Sequence, residues 1–505
     1  MMKGVACMVG LSVAVSLAGC SFGMSYRQEG DQGSINLGAG VGEPAPAPSV
    51  DRSVPPEVGP PPGVTFPDQV RFTLDNGLRV VLVERHQVPV VAVRLLIPGG
   101  GGAVEPHQAG LAVLAADMLD EGTTTRSAME IAEGVERLGA SLGSFAGWDA
   151  SVVSLRVVKP RLEGAFEILA DVIMNPSFPQ EELERVRREQ LDRILQSMDE
   201  PRALADNAFV NVLFGEEHAY GQPLSGTRES VGALTREAVA DFYRDRYVAN
   251  NSILIVVGDI DEEEIRELLN GTLAAWRRGI PRSFARPGTP DLRSAAVYVV
   301  DKPDAAQSEI RVGRIGVDRG TEDYFGLTVL NTVLGGSFTS RLNMKLREEK
   351  GYTYGAGSFF DMRVWEGPFV ARSGVQSEVT DSAVVEFLGE IRRIGEEEIP
   401  EEELTRGRNY LALRLPQQFE SVSDIASRLS ELLLYGLPDD FYDVYVDRVL
   451  ETEAAGIRAL AERYLDPEEM VIVVAGDRAT IEEPLRRLGI GEVVILPGPE
   501  RDQGS

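Results

Sequence analysis

The chain has 505 residues, 43% of them hydrophobic, and a formal net charge of −29. That length suits about two to three ordinary domains, and the hydrophobic content fills real cores, which excludes a disordered chain. The acidic excess argues against nucleic acid and anionic membrane surfaces as partners, because both would repel it.

The N-terminus reads as an address. Met1-Met2-Lys3 precedes an apolar run from Val5 to Ala18, too short for a permanent membrane span, which predicts a signal peptide over residues 1–19. The run ends in Leu17-Ala18-Gly19-Cys20, which resembles the lipobox of bacterial lipoproteins. The resemblance implies cleavage before Cys20 and lipid attachment there. Ser21 at the next position implies sorting to the periplasmic face of the outer membrane, so the expected location is the bacterial cell envelope. The chain has two cysteines, Cys7 and Cys20, so neither a disulfide nor a thiolate metal site is expected in the mature protein. Residues 20–65 are rich in Pro and Gly, cannot bury enough apolar surface to offset ordering entropy, and read as an extended tether.

A first domain is expected over residues 66–282. Val70-Arg-Phe-Thr-Leu and Leu78-Arg-Val-Val-Leu-Val flank Asp75-Asn76-Gly77, a hairpin with a tight turn, and Val90 to Ile97 is a further strand. Helical periodicity predicts helices over 108–120, 127–138, 161–174 and 180–198, with Ser127 and Glu130 as a capping box. Strands near 140–159 and 252–258 complete an α+β domain.

The second half echoes the first. Gly110-Leu-Ala-Val-Leu returns as Gly326-Leu-Thr-Val-Leu at an offset of 216, and the Val-Gly-Asp around Gly258 returns as Ala-Gly-Asp around Gly476 at an offset of 218. Two blocks in one order at nearly one offset predict duplicated α/β domains of about 210 residues, each a mixed sheet with packed helices. The second domain is expected over 290–492, beyond the Pro- and Arg-rich stretch from Ile280 to Arg293, with 493–505 as a tail.

Several blocks now resemble the insulinase/pitrilysin family of peptidases in its two-domain bacterial form. They are Asp75-Asn-Gly-Leu-Arg-Val, His218-Ala-Tyr-Gly-Gln-Pro-Leu-Ser-Gly-Thr, Leu334-Gly-Gly-Ser, Ser340-Arg-Leu-Asn and Leu346-Arg-Glu-Glu-Lys-Gly-Tyr-Thr-Tyr-Gly. Active members carry His-x-x-Glu-His on one helix, where the two His hold zinc and the Glu activates its water, with a further Glu ligand downstream. On that frame Val113 and Asp117 stand at the two His positions, Ala116 at the catalytic Glu, and Arg193 at the downstream ligand. An Arg there would repel a metal. The three histidines, His86, His107 and His218, form no helical pair that could substitute. No metal site is expected in this chain.

Another family element is retained. The resemblance implies that an Arg and a Tyr seven residues apart face the zinc site across a closed chamber, and Arg347 and Tyr354 match in identity and spacing. Guanidinium and phenol suit the negative charge that develops on a carbonyl oxygen during hydrolysis. An ordinary helix-surface Arg and a strand Tyr are the bland alternative. Some bacterial family members are heterodimers that divide the zinc motif and the Arg/Tyr pair between chains. The leading expectation is therefore a non-catalytic subunit, with zinc in a homologous partner and peptides or unfolded polypeptides as substrate. A peptide-binding or scaffolding lipoprotein without proteolysis, and a self-sufficient metallopeptidase, are the alternatives.

Overall fold

In a computed structural model of the chain, the structure describes residues 59–280, Gly288 and residues 295–498. The expected signal peptide, Cys20, most of the expected tether and most of the expected inter-domain stretch lie outside them. Pro60 onward forms one compact unit.

The first half builds a six-stranded sheet from β1 (Val70–Thr73), β2 (Arg79–Glu84), β3 (Val90–Pro98), β4 (Ser141–Ala146), β5 (Ala150–Val158) and β6 (Ile253–Gly258), in the order β1-β2-β6-β3-β5-β4. The second half builds another from β7 (Ala296–Asp301), β8 (Gln307–Ile315), β9 (Ala356–Phe360), β10 (Pro368–Gln376), β11 (Val471–Gly476) and β12 (Val493–Leu496), in the order β12-β7-β11-β8-β10-β9. Five strands correspond one to one: β2/β7, β6/β11, β3/β8, β5/β10 and β4/β9. The sixth differs. β1 precedes β2 and runs antiparallel to it, whereas β12 comes from the end of the chain and runs parallel to β7. This corrects the expected tail at residue 493: Val493–Leu496 completes the second sheet, because the apolar Val-Val-Ile-Leu run covers an open strand edge.

Local signals set the first-half helices. The β1–β2 turn uses Gly77 at φ +86° and the Asn76 side chain, which accepts from Leu78 N. The helices are α1 (Leu111–Asp117), α2 (Ala128–Arg137), α3 (Leu162–Met174), α4 (Gln180–Ser197) and α5 (Pro201–Phe214). α2 opens on the Ser127/Glu130 capping box. α1 is shorter than its apolar pattern predicts, because Pro106–Gln108 forms a separate turn and Gly110 stands at φ +90°. A Cβ on Gly110 would meet Ser225 O at 2.6 Å, so only glycine fits this break.

Alternation along the strands gives each sheet two buried faces. In the first sheet Val80, Leu82, Val93, Leu95, Leu254 and Val256 pack under α1 and α3. The opposite face, with Val81, Val83, Leu96, Ile255 and Val257, is covered by Ile425, Ala426 and Leu429 of the second-half helix Val422–Leu434. Reciprocally, Leu204, Phe209, Val212 and Leu213 of α5 cover Val473, Ala475, Ile315 and Val370 on the second sheet. Each half lends a helix to the other.

Candidate functional site

Two of the four motif positions, Asp117 and Arg193, meet in an ion pair. α1 and α4 lie together, and Arg193 Nη2 donates to Asp117 Oδ2 at 3.1 Å across 76 residues of sequence. Asp117 is 27% exposed at its side chain and Arg193 60%. Burial raises the Asp117 carboxyl above its ordinary range, and Arg193 opposes that rise. Nearer the start of α4, Arg185 binds Glu121 and also Glu182 and Glu189, both of the latter at 2.7 Å, so a second ionic link joins the segment after α1 to α4.

The other two motif positions carry no donor. Val113 is half-buried against the first-half core, and Ala116 is fully buried, its carbonyl accepting from Ser144 Oγ of β4 at 2.6 Å. These residues do not fit zinc: an alkyl group, a methyl group and a guanidinium supply no ligand, leaving one carboxylate already paired. Among the described residues no group of three or more His, Cys, Asp and Glu has a geometry for a metal ion. The three histidines are dispersed. His86 bonds Asp259 at 2.8 Å, which raises its pKa, with burial opposing; exposed His107 sits in the turn before α1. His218 stacks on Phe214 and accepts from Tyr220 N through Nδ1.

Arg347 and Tyr354 stand in a different setting. The segment Met344–Glu349 is wound wider than an α-helix, and Lys350 N bonds Lys345 O five residues back. Such widened turns recur at functional sites. The Arg347 guanidinium lies 4.5 Å from the centre of the Phe338 ring, and its ion pair with the adjacent Glu348 is long, 3.5 Å. Tyr354 is 91% exposed in the loop before β9, so it is a loop aromatic rather than a strand residue. That loop is anchored all the same: Thr353 Oγ1 donates to Gly374 O at 2.7 Å and accepts from Gly355 N at 3.0 Å.

Two supporting residues were not singled out in the sequence. Phe338, 63% exposed, is the platform for Arg347; its only signal is an aromatic residue in a polar loop after Gly335-Gly336. Buried Asn343 donates to Phe338 O at 2.6 Å and accepts from Ala356 N at 3.2 Å. One side chain thus ties the Phe338 loop to the strand that follows Tyr354. With Met344, these residues make an exposed aromatic and cationic surface, suited to gripping a peptide or a neighbouring chain.

A third feature lies between the halves, a cavity of about 570 Å³ lined by residues of both. Asp149 reaches it from the loop after β4. Its carboxylate accepts from Tyr435 Oη at 2.9 Å, Val364 N at 3.1 Å and Tyr220 Oη at 3.3 Å, joining three segments; burial raises its pKa, with Tyr435 the chief opposing contact.

Comparison with known proteins bears on the family and the fold. Residues 79–228 match the family model described as Insulinase (Peptidase family M16), and residues 233–411 match that of the Peptidase M16 inactive domain. The chain is 31% identical over 296 residues to an uncharacterized zinc protease of Mycobacterium leprae, covering 58% of this chain and 66% of that protein, just under two thirds of its length. It is 26% identical over 369 residues to an uncharacterized zinc protease of Bacillus subtilis, covering 72% and 88%. Among solved structures, the peptidase M16 inactive domain from Pseudomonas fluorescens superposes with a TM-score of 0.76 at 26% identity, covering 81% of this chain and 98% of that one. A protease from Helicobacter pylori has the same fold, with a TM-score of 0.76 at 20% identity, covering 82% and 100%. The two matched segments, one in each half of a duplicated fold, show that the chain belongs to the insulinase family of peptidases, M16.

Proposed function

We propose that this chain is the subunit without zinc chemistry in a two-subunit insulinase-type peptidase, lending Arg347 and Tyr354 to a partner's active site. The observation that carries this reading is the contrast within one chain: an ion pair fills the ligand column, while half-buried Arg347 and exposed Tyr354 stand on an anchored surface with no close carboxylate on Arg347. In the complex the homologous partner supplies zinc and the general base. Arg347 and Tyr354 donate to the peptide backbone and to the oxyanion as the carbonyl is attacked, a contact that strengthens in the transition state. β4 and β9 are open edge strands, and an extended peptide can add to such an edge by main-chain hydrogen bonds. Lipidation at Cys20 would hold the complex at the periplasmic face of the outer membrane, and the mass of the mature N-terminal peptide tests that part alone.

The test of function is reconstitution. The purified chain is mixed with an intact His-x-x-Glu-His homologue from the same cell, and complex formation and peptide hydrolysis are measured. The reading expects turnover by the complex that neither chain shows alone. Stoichiometric zinc with peptidase activity in this chain by itself overturns it. A stable complex whose turnover ignores both Arg347 and Tyr354 reduces the role to scaffolding.

A further inference from the structure

The duplication allows each sheet to serve as a control for the other. In the first sheet Val90 pairs with Val158, and in the second Gln307 pairs with Gln376; both β5 and β10 then run through a short turn into a long helix. That register makes Arg94 of β3 the twin of Arg311 of β8. Both side chains lie on the face covered by the helix borrowed from the other half.

Their surroundings differ in charge. Arg311, fully buried, is neutralised by Asp206 of α5 at 2.6 Å and by Glu309 of its own strand at 2.9 Å. At the matching places around Arg94 stand Ser427 of the helix Val422–Leu434 and Ala92 of β3. Ser427 Oγ accepts from Arg94 Nη1 at 2.6 Å, and Arg94 Nε is buried without a partner. Among the described residues no carboxylate pairs with Arg94. Burial and the neighbouring Arg428 guanidinium both push its pKa down, and no acidic group opposes them. Arg94 is half-buried with its guanidinium 5.9 Å from the centre of the Phe145 ring, and a partly desolvated charge without a carboxylate favours an anion. The other charges of the inter-half cavity are Arg319, Arg363, Asp149, Asp361 and Glu431, and its three carboxylates are engaged by Tyr435, Arg363 and Arg319 rather than by Arg94.

Arg94 also lines the inter-half cavity, and Arg311 does not. The cavity is of a size that takes a small ligand. Its walls near Arg94 are apolar and aromatic: Leu96, Phe145, Phe359, Phe360 and Leu434. Both open edge strands reach it, Phe145 from β4 and Phe359 and Phe360 from β9. Asp361 N bonds Pro368 O across the β9–β10 pair, so by antiparallel alternation Phe360 turns its own N–H and C=O away from β10. A ligand with a main chain can meet those groups; a plain hydrocarbon acid cannot.

We propose that this cavity binds the C-terminal end of a peptide with an apolar last residue, its free carboxylate on Arg94 in the place that Asp206 and Glu309 fill in the second half. The site deepens the proposed peptidase role in taking a peptide as ligand. Its binding is read on this chain alone, so loss of turnover in a complex and loss of binding here remain separate results.

The experiment is calorimetric titration of the full chain with Ala-Ala-Phe as free acid, with the same tripeptide as amide, and with octanoate. The acid should bind at least tenfold more tightly than the amide, and added salt should weaken it. Arg94→Met should erase the difference between acid and amide. Ser427→Asp, which copies the second half and neutralises Arg94 from within, should abolish acid binding with the melting temperature unchanged or raised. Equal affinity for acid and amide, no binding of either, or undiminished acid binding in S427D overturns the proposal. Octanoate binding as tightly as the peptide acid overturns the peptide assignment.

Discussion

The ligand column of the first half and the Arg347–Tyr354 surface of the second half are one fold with opposite uses of burial. In the first, Ala116 is sealed, Val113 is half-buried and Asp117 is paired with Arg193, so every group is satisfied inside the chain. In the second, Phe338, Met344 and Tyr354 are exposed, and Arg347 is held by a ring and a long ion pair rather than by a close carboxylate. A satisfied site is closed to new partners, and an anchored but unsatisfied one is open to them. The side chains in each place, rather than the shared topology, decide which surface is left open to a partner.

The largest test of the contrast is to insert a charge on each side. Ala116→Glu places an unpaired carboxylate in a sealed position and should cost about 3–5 kcal/mol of stability, read as a lowered denaturation midpoint. Leu346→Ala, in the core beneath the exposed surface, should cost about 2–5 kcal/mol in the same assay and calibrate it. Phe338→Glu, on that surface, should stay within roughly 0.5 kcal/mol of the parent. If A116E is as stable as F338E, the first site is not closed.

In the reconstituted complex the order reverses. Arg347→Ala should lower kcat by about 100-fold, roughly 2.7 kcal/mol, with the complex intact. Tyr354→Phe should do the same to a smaller extent, while Asp117→Asn should leave turnover unchanged. A thermodynamic cycle over Asp117→Asn and Arg193→Ala should give a coupling of about 0.2–1 kcal/mol, small because Arg193 is mostly in solvent.

The smallest effect is a pH dependence. Burial raises the folded pKa of Asp117 above its ordinary value of 3.8, so ionisation there disfavours the fold. Relative to Asp117→Asn, the parent should lose stability as pH rises from 3.8 through the raised folded value, and level off above it. Thermal melts of the two proteins across that range measure the difference. A parent that instead gains stability over the window would mean that Arg193 dominates burial.

Much of the fold was legible because its signals are local. The Asp75-Asn76-Gly77 turn, the Ser127/Glu130 box and the alternating strands act within a few residues, and the repeated blocks exposed the duplication. The family frame put residues 117 and 193 at ligand positions, but their ion pair with each other was not expected from it. What the sequence hid depends on distant partners. The burial of Ala116 comes from Ser144 and β4, the Phe338 platform from a turn of the chain around Asn343, and the Arg94 contrast from a register that only the two sheets together reveal. The contribution of Val493–Leu496 to the sheet was missed because four apolar residues near a chain end give no periodicity long enough to read.

The exchange of α5 and the helix Val422–Leu434 has a consequence for how the molecule comes into being. Each sheet, made alone, would present a bare apolar face whose cover has been kept on the other half of the polypeptide. A ribosome that has released only the first half has made a protein with one face still wet, which waits about 150 residues for its lid. Cutting the joining stretch in the finished protein should leave the halves clasped, whereas expressing either half by itself should give aggregates. The two domains are units of ancestry, and these two experiments test whether only the pair is a unit of folding.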